Sequence, residues 1–264
     1  MVRQVREVRE VHNRGMNARF HAPDAQAPGE VVPLPDDEAE HLTRVLRLKA
    51  GDAVRVFNGR GGEFDAVVEQ AGKNGALVRV GAAQRPAPEA RVAITLAQAA
   101  LKGDKMDDMV RDAVMLGVAV IQPIVTERAE VTRASLARSQ RRDRWQRIAI
   151  SSAKQCGRAT VPPILEPLDF GELVEALAKL ALPQPALMFV EPDAGQDATR
   201  LSELDLSPQR AATVIIGPEG GWTDSEIEHA ASVARLVTLG GRTLRADSMP
   251  VVALAALFTI WGEF

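Results

Sequence analysis

Hydrophobic positions along the chain change rhythm about a third of the way in. From Ala18 to about Arg85 they fall in brief runs: Val54, Val56 and Phe57, then Phe64, Ala66 and Val68, then Leu77, Val78 and Val80. Gly51-Asp52, Asn58-Gly59, Gly61-Gly62 and Asn74-Gly75 separate the runs, and such dipeptides favour tight turns. The pattern predicts a small β-barrel or sandwich. A single helix interrupts it, with Asp36 and Asp37 near its start and His41 to Arg47 in its body. RPAPEA, with Pro86 and Pro88, then reads as a linker.

Beyond Arg91, strand and helix signals alternate. Apolar runs at Val92–Leu96, Val118–Ile124, Ala186–Val190, Thr213–Ile216 and Leu236–Leu239 predict strands. Met106, Met109, Val110, Ala113 and Val114 recur at three- and four-residue steps, as on one face of a helix. Trp145, Ile148, Ala149, Ser152, Ala153 and Cys156 mark a longer helix. Strands separated by helices imply a mainly parallel sheet covered on both faces. The expected organisation is a tail over residues 1–16, a β domain over 17–86 and an α/β domain over 91–264. Residues 1–15 read as a disordered tail or an over-extended start.

Two loops carry the candidate chemistry. In the first, an apolar strand runs into Gly217-Pro218-Glu219-Gly220-Gly221-Trp222, and Thr223 with Glu226 has the spacing of a capping box that starts a helix. Glycines there let backbone N–H groups approach a ligand, and open α/β sheets bind ligands at the carboxyl ends of their strands. In the second, Leu239-Gly240-Gly241 leads to Arg242, Arg245, Asp247 and Ser248 before an apolar helix, whose first turn suits Pro250. Arg245 and Asp247 fit either a ligand site or a local ion pair at the helix entrance.

Composition narrows the classes. The 264 residues are 46% apolar and 25% charged, as in ordinary globular chains, with a net charge of −3. A uniformly basic nucleic-acid binder is excluded, but a local patch is not. Arg128, Arg133, Arg138, Arg141, Arg142, Arg144, Arg147, Lys154 and Arg158 crowd one segment, opposed within it only by Glu130 and Asp143. Several arginines together can steer a polyanion. Arg44 and Arg47 add a second basic surface. The single cysteine, Cys156, rules out an intramolecular disulfide and suits a reducing cytoplasm. It reads as a buried structural thiol. His12, His21, His41 and His229 are dispersed, so no metal site is expected. No apolar run is long enough to span a membrane as a helix. Neither a G-x-G-x-x-G opening, a Walker loop, H-E-x-x-H nor G-x-S-x-G is present.

In order, RFH, HLTRVLRLKAGD, LAQAALKGDKMDDMV, LGVAVIQPIVTER, KQCGR, IGPEGGW and LGGRTLR resemble one family from Arg19 to Trp261. It is the bacterial 16S ribosomal RNA (uracil-N3)-methyltransferases of the SPOUT superfamily. The resemblance implies a PUA-like RNA-binding barrel, a trefoil-knotted α/β domain, an S-adenosylmethionine cofactor and a homodimer. By analogy Phe189, Val190, Glu191, Ile216, Gly217, Pro218, Glu219, Gly220, Gly221, Leu239, Gly240 and Leu244 would hold the cofactor. Arg245 would stabilise a uridine anion, and Asp247 would be its base. Arg19, His41, Arg44, Arg47, Lys105 and Arg158 would contact RNA or substrate, in 16S ribosomal RNA or the small subunit.

The chain also departs from that pattern. Relatives usually read LRTETA where this chain has Leu244-Arg245-Ala246-Asp247-Ser248-Met249, followed by Pro250, and Met115 replaces a glutamate before LGV. These changes are expected in or near the pocket. An RNA-binding ribosome-assembly factor with impaired methyl transfer is therefore the alternative, and a different RNA or a ribose oxygen as target is a third.

Overall fold

A computed structural model of the chain describes residues 18–180, 184–192, 198–205 and 210–263. The expectations for residues 1–16, His12 among them, lie outside these. The chain divides into two units, one running to Glu89 and also taking Ala153–Val161, the other comprising Ala90–Ser152 and the rest.

In the first unit, alternation builds one mixed sheet. Its strands are β1 (Arg19–His21), β2 (Val31–Pro33), β3 (Ala53–Phe57), β4 (Glu63–Gly72) and β5 (Gly75–Gln84), in the order β1-β3-β4-β5-β2. β1 runs parallel to β3; the other pairs are antiparallel. Val54, Val56, Ala66, Val68, Val78 and Val80 point to one side and pack with Phe20 and Leu42. A two-residue turn, Lys73-Asn74, joins β4 to β5, and Gly75 follows it at φ +104°, where a side chain would be strained.

The predicted helix is shorter than its sequence suggests. Helix α1 (Asp36–Glu40) passes into a π-helical turn, His41–Val45, that sends Leu42 into the core. Thr43 Oγ1 donates to the Ala39 carbonyl at 2.7 Å, a back-bond that bends helices. Arg47 lies outside the helix, in the left-handed region at φ +55°.

The discontiguous segment joins this unit through polar contacts. Arg19 pairs with both carboxylate oxygens of Glu63 at 3.0 Å and also donates to the carbonyls of Ala153, Lys154, Gly157 and Arg158. Those carbonyls lie at a helix end, where unsatisfied acceptors attract cations. Lys154 donates to Glu38 at 2.7 Å and lies 4.8 Å above the Phe20 ring.

In the second unit seven parallel strands form one sheet. β6 (Ala93–Ala99), β7 (Val120–Val125), β8 (Leu168–Asp169), β9 (Ala186–Phe189), β10 (Thr199–Arg200), β11 (Ala211–Ile216) and β12 (Arg235–Thr238) lie in the order β10-β12-β9-β11-β6-β7-β8. Helices α2 (Lys105–Leu116), α3 (Arg133–Arg138), α4 (Arg141–Cys156), α5 (Phe170–Ala178), α6 (Asp224–Ala231) and α7 (Met249–Ile260) complete the layers. α5 and α6 cover one face, burying Phe170, Leu173, Val174, Ile227 and Ala230 against Met188, Ile215 and Leu236. α2 packs against α7. The capping box is present: Thr223 Oγ1 accepts from Glu226 N, and Glu226 returns the bond to Thr223 N at 3.0 Å. Cys156 is half-buried, not buried, because it sits in the last turn of α4 with its thiol 3.7 Å from the Ala153 carbonyl.

Candidate active site

β12, β9 and β11 are neighbours and parallel, so the segments after Thr238, Phe189 and Ile216 leave the same edge of the sheet. They enclose a cavity of about 310 Å³, at the small end of the range for ligand pockets. Phe189, Val190 and Glu191 line it after β9, and Ile216, Gly217, Pro218 and Glu219 after β11. Leu239, Leu244, Arg245 and Asp247 line it from the last loop, and Lys105 from the start of α2. Sequence reasoning gave no site role to Pro192, Thr238 and Thr243, which also face it; Trp222 and Arg242, named in the two loops, and Ala246 and Met249, expected in or near the pocket, line it too. Thr238 and Pro192 stand at or just after the carboxyl ends of strands, and Thr243 lies in the second glycine loop. Met115, by contrast, is exposed on α2 and is not part of the lining, while Ala246, Asp247 and Met249 are.

The glycines of the first loop answer to packing more than to a ligand. A Cβ on Gly217 would sit 2.9 Å from the Trp222 ring, and one on Gly220 2.8 Å from the Arg128 carbonyl. On Gly221, at φ +68°, it would meet the Glu191 carboxylate at 2.5 Å. Neither Gly220, Gly221 nor Gly240 lines the cavity. Buried Trp222 anchors the turn, its indole N–H donating to the Phe189 carbonyl at 2.9 Å. Gln98 is fully buried on β6 and donates to the Ala99 and Gly217 carbonyls from beneath the loop.

Charge in the cavity is partly paired. Lys105 Nζ meets Glu219 at 2.8 Å, and Arg245 meets Asp247 at 3.2 Å. The second pairing joins two residues two apart in sequence, as a helix-entrance ion pair would, and both also line the cavity. Burial pushes the Glu219 carboxyl up, but the bonds from Lys105 and backbone N–H groups outweigh it and hold the group below its usual range. Glu191 and Arg242 have no ion-pair partner among the described residues. Among those residues no three His, Cys, Asp or Glu side chains converge to hold a metal, and no helix is long and apolar enough to cross a membrane.

Two residues expected at an RNA surface are internal instead. Arg158 is buried, with its guanidinium on Glu89 at 2.5 Å, and Arg19 is nine-tenths covered in the clamp on Glu63. Both guanidinium groups are taken up in contacts within the chain. The arginine run is also less bare than its sequence. Arg133 pairs with Asp169 and Glu172, Arg142 with Glu166, Arg144 with Asp104 and Asp107, and Lys154 with Glu38. Burial first, then the Lys154 charge, lower the His41 pKa from 6.5 and so disfavour its charged form. Arg44 and Arg47 remain exposed.

Comparison with known families gives the two units their class, an RNA methyltransferase domain and its PUA domain. Residues 88–258 match the RNA methyltransferase domain family and residues 34–81 the RNA methyltransferase PUA domain. The chain belongs to the ribosomal RNA small subunit methyltransferase E family. A Synechocystis sp. protein of that name is 37% identical over 232 residues, which cover 86% of this chain and 72% of the relative. A Rickettsia conorii protein of the same name is 30% identical, with 90% and 93% covered. The solved structure of the Neisseria gonorrhoeae methyltransferase E, bound to S-adenosyl methionine, superposes with a TM-score of 0.82 at 35% identity, covering 94% of this chain and 99% of that one. A Legionella pneumophila methyltransferase with bound cofactor SAM gives 0.81 at 29% identity, covering 92% and 97%.

Proposed function

We propose that the protein transfers a methyl group from S-adenosylmethionine to N3 of a uridine in 16S ribosomal RNA, free or within the small subunit. The observation that carries this is the single cavity in which both glycine loops, Arg245 and Asp247 meet. Its walls suit the cofactor: Phe189, Val190, Leu239 and Leu244 offer apolar surface, and Glu191 offers a carboxylate to a molecule bearing ammonium and sulfonium charge. When bound, the cofactor supplies an activated methyl group. Gly217 and Leu239 present backbone to it, while Gly220, Gly221 and Gly240 shape the loops from outside the lining.

The remaining tasks fall to side chains. Uridine N3 carries a proton in its neutral form, and its lone pair attacks well only once that proton leaves. Asp247 accepts the proton, and Arg245 stabilises the anion spread over N3 and the flanking carbonyls. The two groups are held side by side, 3.2 Å apart. Lys105, across the cavity on α2, binds the substrate from the other wall. Alignment of nucleophile and methyl supplies much of the rate.

The homodimer belongs to this proposal. α7 buries Pro250, Ala253, Leu254, Leu257 and Phe258, yet Val252 and Ile260 on its other side are 41% and 46% exposed. A helix apolar all round wants cover on both sides, and a second copy supplies it; sedimentation would show a dimer. The trefoil knot and a cytoplasmic location complete the reading.

Calorimetry should detect S-adenosylmethionine binding, and none at millimolar ligand would refute the function. N3-methyluridine persisting in 16S ribosomal RNA after deletion of the gene would refute the target. Arg245→Ala should lower kcat while leaving cofactor affinity intact; equal losses would move Arg245 to the cofactor pocket.

A further inference from the structure

We propose that Gln98, which does not line the cavity, is a positioning residue for it: its side-chain amide holds the peptide joining Gly217 to Pro218 and so keeps the first glycine loop in the shape that binds S-adenosylmethionine. This rests on the methyl transfer proposed above and deepens it. Gln98 lies near the end of β6, in register with Ile216, the last residue of β11. Its neighbours Ala97 and Ala99 face α5 and α6, so the Gln98 side chain between them points to the opposite side of the sheet. There it is fully buried. Nε2 donates to the Ala99 carbonyl at 3.0 Å and to the Gly217 carbonyl at 3.4 Å. Those two carbonyls decide which end of the amide is nitrogen, because the amide oxygen in that place would face two other acceptors.

The chemistry of the loop explains why a donor is needed there. Pro218 has no N–H, so the peptide joining it to Gly217 can be held by hydrogen bonding only at its carbonyl. Gly217 has no side chain to anchor it, and the Trp222 ring occupies the space that a Cβ would enter. Further along, the loop has its own ties. Gly221 N donates to the Pro218 carbonyl at 3.1 Å, and the Trp222 carbonyl accepts from Arg128 at 2.7 Å. Trp222 is also bonded to the Phe189 carbonyl. The start of the loop, where Gly217 lines the cavity, is the part that depends on Gln98.

Gln98 is also an expensive residue to keep. Its Oε1 is buried and accepts a hydrogen bond from no described residue. Leu96, Ala97 and Ala99 beside it are buried and apolar. An unsatisfied buried acceptor destabilises a fold, and an apolar side chain of the same length would pack there without that penalty. Such a group in a native structure calls for an explanation by use. Its bond to Ala99 stays within one strand and fixes nothing beyond it, which leaves the bond to Gly217.

Gln98→Met tests this, since it keeps the length of the side chain and removes the donor; Gln98→Leu is a second apolar variant. Calorimetry on the full-length chain without RNA gives S-adenosylmethionine affinity, and thermal unfolding without cofactor gives stability. If the competent loop shape falls to about a tenth of the population, affinity falls about tenfold. The melting temperature should stay level or rise. In steady-state methylation of 16S ribosomal RNA, KM for S-adenosylmethionine should rise by the same factor. kcat at saturating cofactor should stay within about twofold, because the loop is already ordered once the site is filled. Amide exchange from Gly217 to Trp222 should quicken in the free variant while that of α5 does not. A melting temperature that fell along with affinity in both variants would make Gln98 a structural residue and overturn the proposal. Unchanged affinity would overturn it by removing Gln98 from the site, and a kcat that fell at saturating cofactor would do so by moving its effect to the chemical step. A wild-type chain that binds no S-adenosylmethionine would bring down the functional reading as well.

Discussion

Two basic regions of the protein look alike in sequence and differ in structure. Between Arg128 and Arg158, cations outnumber acids heavily along the chain, but acids from elsewhere pair with Arg133, Arg142, Arg144, Lys154 and Arg158. Around Arg47, Lys49 and Lys73 the cations are fewer and stay unpaired among the described residues. Most pairs in the first region are exposed and stabilise little, since water already solvates both partners. Their effect is on the field, which they cancel. A run of arginines is therefore no measure of an RNA surface; the measure is the charge left after long-range pairing.

The largest expected effect comes from the tied cations. Arg19→Ala should cost about 3 kcal/mol, because it leaves buried Glu63 with only the more distant Arg55, at 4.0 Å, and removes donors from four carbonyls. Urea unfolding measures this, and a cost near zero would mean that the clamp is ornamental. Arg47→Gly should do the reverse, leaving stability unchanged or raised by up to about 1 kcal/mol through relief of the left-handed backbone. RNA affinity should nevertheless fall. If instead the melting temperature dropped by several degrees, Arg47 would be structural and the contrast between the regions would fail.

Neutralising Arg138, Arg141 and Arg147 together probes three cations of the first region that have no ion-pair partner among the described residues. RNA affinity should change about twofold or less, and stability by about 0.5 kcal/mol. A loss matching that of Arg47→Gly would restore the helix run as an RNA surface. The smallest effect concerns pH. The Glu219 carboxyl is held below its unfolded value of 4.5, so its pairing with Lys105 stabilises the protein above that pH and ceases to as pH falls through the folded pKa. The melting difference between wild type and Glu219→Gln should thus shrink on acidification from pH 6 to about pH 3. A gap that stayed constant would separate Glu219 from Lys105.

Local features were legible because their physics is local. Thr223 and Glu226 cap the same helix turn that their spacing predicts, and Pro250 stands in the first turn of α7. Alternation marked β3, β4 and β5, and the three- and four-residue steps marked α2. The two glycine loops drew attention to the edge where the cavity lies. What escaped were contacts made across the chain. Arg158 meets Glu89, 69 residues away, and nothing near either residue announces it. The glycines were legible as necessary, but the reason differs: Trp222, Arg128 and Glu191 occupy the space their side chains would fill. The helix end after Val45 escaped for another reason. HLTRVLR has good helical spacing, and only the burial of Leu42 and the back-bond of Thr43 turn it into a π-helical turn.

By itself the sequence determined the periodicities, the two loops, the order of the units and the family, since each of these is written in neighbouring residues. The tertiary structure alone decided which charges are spent and which are free. Electrostatic pairing acts through space over a few ångströms, whereas a charge run counts neighbours along the chain. The −3 net charge and the arginine-rich segment were both correct as counts. Only folding brought Glu89, Glu166 and Asp107 to those arginines and left Arg47, Lys49 and Lys73 without an ion-pair partner among the described residues.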